Sequence, residues 1–297
     1  IWNANNFLLQ NECDFNNVTK PFNLKVNINR WIFSEFILIK NIVKQNINDY
    51  RFDEAAKNAY QFVWHSFCDW YIELSKTILY SDDKNSIDEV KQVSSYIFRE
   101  ILIILHPFIP FITEEIWLNN NLDKKSEDFL MFANWSDDQF EKSKDHEDVN
   151  NLIEIITSIR SFKNELLVSP GSLIDISIQH CGKDVSNFFK TNEITLKKLG
   201  RINNILNKDI KKPSASLIIK GDLFKLYFDQ DVDLSQIKKT LTNRQNKIKE
   251  EMNKIKIKLN NKNFADKAPK NIIEQEKTNF ANLKKDANKI QLTLENL

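Results

Sequence analysis

The chain of 297 residues predicts a mainly α fold: a helical bundle, then a small α/β module, then an antiparallel helical hairpin of coiled-coil type. Three observations carry this. Neither glycine nor proline interrupts the chain between Pro21 and Pro107, which favours long helices. The four glycines all fall between Gly171 and Gly221, where apolar and polar residues begin to alternate as in a half-buried strand. From Val232 aromatics thin out, and apolar residues recur at helical spacing among Lys, Asn and Glu.

The opening "IWNANNF" has no initiator methionine and reads as already helical, so a piece of a longer protein is expected. Ile28, Trp31, Ile32, Phe36, Ile39, Ile42, Val43 and Ile47 then form one helical stripe. Phe52, Ala55, Ala56, Ala59, Phe62, Val63, Phe67, Trp70, Leu74 and Ile78 form a second. Asp49 is its expected N-cap, with Asp53 and Glu54 in the first turn, where the helix dipole favours carboxylates. A third helix opens on Ser86-Ile87-Asp88-Glu89, which reads as a capping box, and continues through Val90, Val93, Ile97, Ile101 and Ile104. In "LHPFIPFITEEIW" (105–117), His106-Pro107 ends that helix and Pro110 suits the first position of the next. Glu114 and Glu115 then sit near a positive helix start, leaving Phe111, Ile112 and Trp117 for the core. Residues 1–148 therefore read as a bundle.

Residues 149–231 read as a linking α/β module. A helix (149–166) meets the turn Ser169-Pro170-Gly171, followed by the alternating "LIDISIQH" (173–180) and the helical "KDVSNFFKTNEITLKKL". "ASLIIKGDLFKLYF" predicts two strands around Lys220-Gly221-Asp222. Residues 232–297 read as two heptad-patterned helices. One carries Leu234, Leu241, Ile248, Met252, Ile255 and Leu259, with Lys238 and Gln245 as polar interruptions. The other carries Ile273, Glu276, Phe280, Leu283, Ala287, Ile290, Leu294 and Leu297, across a link containing Pro269.

Formal charge is only +1, but it is unevenly spread. Residues 232–297 hold 15 Lys and Arg against 8 Asp and Glu, a net +7, so the remainder carries −6. A basic arm is thus attached to a mildly acidic body. Cys13, Cys68 and Cys181 form no CxxC pair, which argues against a disulfide framework and fits a reducing cytoplasm. No apolar run is long enough to span a membrane. Four scattered glycines exclude a glycine-rich phosphate loop, and His65, His106, His146 and His180 lack metal-ligand spacing. Asp69 beside Trp70, and Glu114 with Glu115, have ordinary structural explanations, so no catalytic set emerges. Arg30-Trp31 and Arg51-Phe52 each put a guanidinium beside a ring, a pairing that suits RNA as well as it suits a core aromatic beside a solvated cation.

Longer strings carry a resemblance. "YRFDEAAKNAYQFVWHSFCDWYIELSK" (50–76) and "LHPFIPFITEEIW" (105–117) resemble the anticodon-binding helical domain of valyl-tRNA synthetases. "IWNANNF" (1–7) and "NRWIFS" (29–34) resemble the segments that follow that family's catalytic core, "IRSFKNELLVSPG" (159–171) its post-bundle helix and turn, and "NFADKAPKNIIEQEKTNF" (263–280) the tip and return helix of its coiled-coil arm, in order along the chain. The chain departs from the family at Asn6 and Lys163, where relatives often carry arginine. The resemblance implies the tRNA-gripping C-terminal portion of an enzyme that ligates valine to tRNA(Val). ATP, Mg2+, catalysis and editing would belong to domains upstream of Ile1, and this portion alone would be inactive. A cytoplasmic monomer is expected. The implied RNA contacts are Arg30, Arg51, Lys76, Arg160 and Lys163 on the body, and Lys247, Lys254, Lys258, Lys262 and Lys284 on the arm. The competing expectation is a free-standing helical module whose hairpin binds another protein.

Overall fold

A computed structural model describes residues 1–15, 18–21, 23–120, 129–135, 145–166, 168–210, 213–220, 222–228, 234–260 and 270–295. The fold is helical with one small sheet, and it forms two compact units, Ile1–Ile153 and Glu154–Leu297.

The first unit contains α1 (Trp2–Gln10), α2 (Asn27–Asn48), and a continuous helical run made of α3 (Phe52–Gln61), a π-helical segment (Phe62–Tyr71) and α4 (Ile72–Leu79). It continues with α5 (Lys84–Leu105) and α6 (Pro110–Asn120). Ala59 of α3 and Val63, Phe67 and Tyr71 of the π segment recur every four residues, and all four are buried. Phe67 stacks on Tyr71 and on Phe98 of α5, with ring centroids 5.6 and 6.1 Å away.

Polar groups fix the packing. Lys40 and Glu100 form a buried ion pair at 2.6 Å between α2 and α5. Glu89 of α5 accepts hydrogen bonds from the backbone N–H groups of Lys25 and Val26 and from the Asn29 amide, all at 2.9 Å, so it caps α2 from a neighbouring helix. The buried Tyr71 hydroxyl donates to Asn29 Oδ1 at 2.8 Å. Burial is the main cause raising the Tyr71 pKa above the ordinary tyrosine value.

These contacts correct several local expectations. No capping box forms at Ser86: Asp83 caps α5 and Glu89 is drawn to α2. Asp49 is the C-cap of α2, and Arg51 occupies the N-cap of α3 without a side-chain hydrogen bond. The proline corner breaks the chain at His106 and restarts it at Pro110, with His106 Nδ1 2.9 Å from Thr113 Oγ1. Glu114 and Glu115 lie beyond the first turn, where Glu114 accepts from the Leu130 N–H. Trp117 is buried as expected, whereas Phe111 is exposed.

In the second unit, α7 (Asp145–Glu165) enters from the boundary and leads to β1 (Ile174–His180), α8 (Lys183–Thr191), α9 (Glu193–Gly200), β2 (Ile202–Leu206), β3 (Ala215–Ile219) and β4 (Asp222–Phe228). The sheet order is β2-β1-β4-β3, with β1 parallel to β2 and antiparallel to β4, and β3 antiparallel to β4. β2 escapes the sequence reading because Asn203-Asn204 interrupts its apolar alternation. Parallel pairing with β1 and the Asp175 carboxylate, which accepts from the Asn204 backbone and side chain, supply what its own sequence lacks. Phe189 stacks on Phe224 at 5.4 Å to cover one sheet face. On the other face Asp209 accepts from Ser177, His180, Tyr227 and Lys225, tying its loop to the strands. The Lys225 hydrogen bond is the main cause holding the Asp209 carboxyl well below the usual range.

The hairpin consists of α10 (Leu234–Asn260) and α11 (Lys270–Glu295). Gln245 bonds Gln291 at 2.6 Å and Lys258 pairs with Glu276, so the helices run antiparallel. Ile237, Leu241, Gln245, Ile248 and Ile290 are buried, while Met252, Ile255, Leu259, Phe280 and Leu283 are only half-buried. Ile237 takes the seam position expected of Lys238, which is exposed. Gly221, Leu297 and the link 261–269 lie outside the described residues. No described helix is long and apolar enough to cross a membrane.

Candidate nucleic-acid interface

The cations singled out from the sequence separate into two groups. On the body, Arg30 donates through Nη1 to the carbonyls of Leu24 and Lys25, clasping the segment that enters α2. Its neighbour Trp31 is buried, with Nε1 3.2 Å from Asn150 Oδ1, so that ring belongs to the core. Lys76 pairs with Glu73 one turn away, and its ammonium lies 5.3 Å from the Phe7 ring centroid. Arg160 donates through Nε and Nη2 to the Leu199 carbonyl at 3.1 and 2.9 Å, closing the last turn of α9, where a cation also suits the helix dipole.

Lys163 departs furthest from expectation. It is 2% exposed, and its Nζ donates to the carbonyls of Pro170 and Ser172. Burial, followed by the charges of Arg201 and Arg160, lowers its pKa from the ordinary lysine value. The side chain secures the turn after α7 and is withdrawn from any surface, so it is removed from the set of RNA contacts. Among the body cations singled out, Arg51 alone is exposed with no side-chain hydrogen bond or ion pair to a described residue.

On the hairpin the distribution reverses. Lys247, Lys254 and Lys284 are exposed, as is Lys258, which also meets Glu276 across the two helices. Lys262 lies outside the described residues.

The helical run from Phe52 and its approach also present exposed rings, of which the sequence reading considered Phe52 alone for RNA, beside a core role, and gave Tyr50, Tyr60 and Trp64 none. Tyr50, Phe52, Tyr60 and Trp64 are 83, 54, 60 and 51% exposed. Tyr60 and Trp64 are parallel to within 5°, with centroids 6.2 Å apart, and Tyr50 meets Phe52 edge-on at 6.2 Å. For Tyr60 and Trp64 the missed signal was aromatic residues opposite the Ala55 and Ala59 face, where an amphipathic helix ordinarily carries polar residues. Tyr50 is held at φ 59° just past the end of α2. Its N–H bonds the Ile47 carbonyl and the Arg51 N–H bonds the Asn46 carbonyl, a Schellman closure that normally places glycine where Tyr50 stands. The left-handed backbone costs a bulky residue about 1 kcal/mol.

Other groups offer little reaction chemistry. His65 and Asp69 pair on the exposed helix at 3.4 Å. Cys13 and Cys181 are both pushed up to about 11, chiefly by burial, so they are poor nucleophiles near neutrality. Among the described residues no group of His, Cys, Asp and Glu could hold a metal ion.

Comparison with known proteins accords with this division. The family described as the anticodon-binding domain of tRNA ligase matches residues 29–178, and the valyl tRNA synthetase tRNA binding arm matches residues 233–297. Over its whole length the chain is 60% identical to a valine–tRNA ligase of Pelagibacter ubique and 32% identical to one of Bartonella quintana. Over 98% of its length it is 32% identical to one from Brucella suis. It spans 34, 33 and 32% of those three relatives, about a third of their length.

Proposed function

This chain belongs to the valyl-tRNA synthetase family, matching the C-terminal part of its members, and on that premise we propose that it grips tRNA for an enzyme joining valine to tRNA(Val). The bundle meets the anticodon stem and loop, and the hairpin lies against the outer corner of the folded tRNA. ATP and Mg2+ bind in a catalytic domain outside this chain, and the protein works as a monomer in the cytoplasm.

The observation that carries the reading is the exposure of Lys247, Lys254, Lys258 and Lys284 on a helical hairpin with net charge +7. Phosphate contacts supply sequence-independent grip and fix register, whereas unpaired bases offer edges and faces for discrimination. Arg51 is the body cation best placed to join them.

Binding of the chain to a tRNA(Val) transcript at two salt concentrations tests this, with an isoleucine tRNA and an anticodon-swapped tRNA(Val) as competitors. Lys254→Ala with Lys258→Ala should flatten the salt dependence by about one unit for each phosphate no longer neutralised. An unchanged slope removes the hairpin from the RNA surface. Failure of the folded wild-type chain to bind at low salt would favour the hairpin as a protein-binding element.

A further inference from the structure

We propose that the proline corner and the 3-10 turn Leu130–Phe132 form an apolar seat for the polypeptide that precedes Ile1 in the complete enzyme; this rests on the reading above that a catalytic domain lies outside this chain. Phe111 is 91% exposed, Met131 and Phe132 are each 66% exposed, and Phe129 and Ile109 are 45 and 39% exposed. Glu114 draws the two segments together. Its carboxylate accepts from the Leu130 N–H at 3.2 Å, and Phe111 stands three residues earlier on the same helix face. Five such side chains leave roughly 500 Å² of apolar surface open, towards the upper end of what a monomer exposes. The corner is also preformed. Thr113 is buried, with Oγ1 2.9 Å from His106 Nδ1 and 3.0 and 3.1 Å from the Ile109 and Pro110 carbonyl oxygens. A surface fixed in this way loses little entropy when it is covered.

Charge, size and position select the occupant. From Glu100 to Asn120 and over residues 129–135 there is no Lys or Arg, and the carboxylates there are Glu100, Glu114 and Glu115. Phosphates need cations to replace their counterions, so RNA does not suit this surface. Two free proteins bury about 800 Å² on each partner in a standard stable complex, more than the seat offers. Within one polypeptide less is needed, because the covalent link supplies an effective concentration of about 1 mM. The relatives have such a polypeptide: this chain spans 34% of the Pelagibacter ubique ligase. Its point of attachment is close to the seat. Asn120 at the end of α6 donates through Nδ2 to Asn5 Oδ1 at 2.7 Å, which ties the first turn of α1 to α6. Phe111 lies farther back on α6, about 14 Å from Asn120 by helix rise. A domain about 30 Å across that is joined at Ile1 therefore reaches it. Phe111 has the character of a core residue, and its packing partner belongs to that neighbour.

The test labels engineered cysteines with a maleimide, read peptide by peptide by mass spectrometry, in this chain alone and in the complete enzyme, both without tRNA. Phe111→Cys and Met131→Cys report the seat, and Lys247→Cys on the hairpin is the exposed control. Both seat positions should label at least about tenfold more slowly in the complete enzyme, as for a tethered contact open no more than a tenth of the time. The control should label equally in the two forms. Phe111→Asp should leave the melting temperature of the chain alone unchanged, yet restore fast labelling of Met131→Cys in the complete enzyme. Equal labelling of the seat in both forms overturns the proposal and leaves the tRNA reading standing. Protection in the chain alone that grows with its concentration also overturns it, in favour of a second copy. Protection that requires added tRNA overturns it in favour of RNA. A complete polypeptide that protects both cysteines but does not join valine to tRNA(Val) would retain the seat and sink the functional reading.

Discussion

The bundle and the hairpin use the same residue types in opposite ways. In the bundle Lys40 is enclosed with Glu100, and Arg30 is turned back onto carbonyls of its own chain. In the hairpin Lys247, Lys254 and Lys284 remain at the surface. Thickness explains the difference. Several packed helices create an interior deep enough to enclose a long cation if its charge is met, whereas two helices share only a narrow seam. A positively charged residue in a thin element therefore reads directly as surface charge. In a thick one it reads as surface only after its carbonyl and carboxylate partners are known.

The largest test of this contrast is Glu100→Ala. It leaves Lys40 buried and uncompensated and should destabilise the bundle by about 3–5 kcal/mol. Denaturant unfolding followed by tryptophan fluorescence will report it, since all six tryptophans lie at or before Trp135. Glu276→Ala, which removes the partner of the exposed Lys258, should cost under about 1 kcal/mol by far-UV circular dichroism. Equal losses at the two sites would break the comparison.

Next comes pH. Burial raises the Cys13 thiol from 9.0 to about 11, so the folded bundle retains a proton that the unfolded chain releases. Its contribution is complete below pH 9 and is lost as pH rises through about 11, amounting to about 2–3 kcal/mol. The difference in bundle stability between wild type and Cys13→Ala should therefore narrow across that window. A constant difference would mean that the thiol is not held in the dry interior.

A smaller effect of opposite sign is expected at the hairpin seam. Gln245→Leu replaces a buried amide with an apolar side chain, and the exposed Gln291 can turn to water. The hairpin should gain up to about 1 kcal/mol while admitting slipped registers, detectable by engineered cysteine crosslinks between α10 and α11. Least of all, Lys247→Ala and Lys284→Ala should each leave the melting curve within about 0.5 kcal/mol of wild type.

Much of this architecture could be read from residue order. The stripes from Ile28 and Phe52 are helices, Pro110 opens its helix, and the alternation at 173–180 is a strand. Contacts remote in sequence decided where reading failed. Glu89 has the spacing of a capping-box partner for Ser86, yet it serves the start of α2 sixty-odd residues earlier, where two backbone N–H groups and an amide await one carboxylate. β2 depends on β1, and Phe52 is exposed although its stripe is apolar.

For the candidate interface, the sequence by itself determined the basic hairpin, because charge and seam spacing there are local properties. Only the tertiary structure decided that Lys163 is enclosed, that Arg160 closes another helix, and that Tyr60 and Trp64 face outward in parallel. Periodicity fixes which residues share a helix face, but the packing of other elements determines which faces are covered.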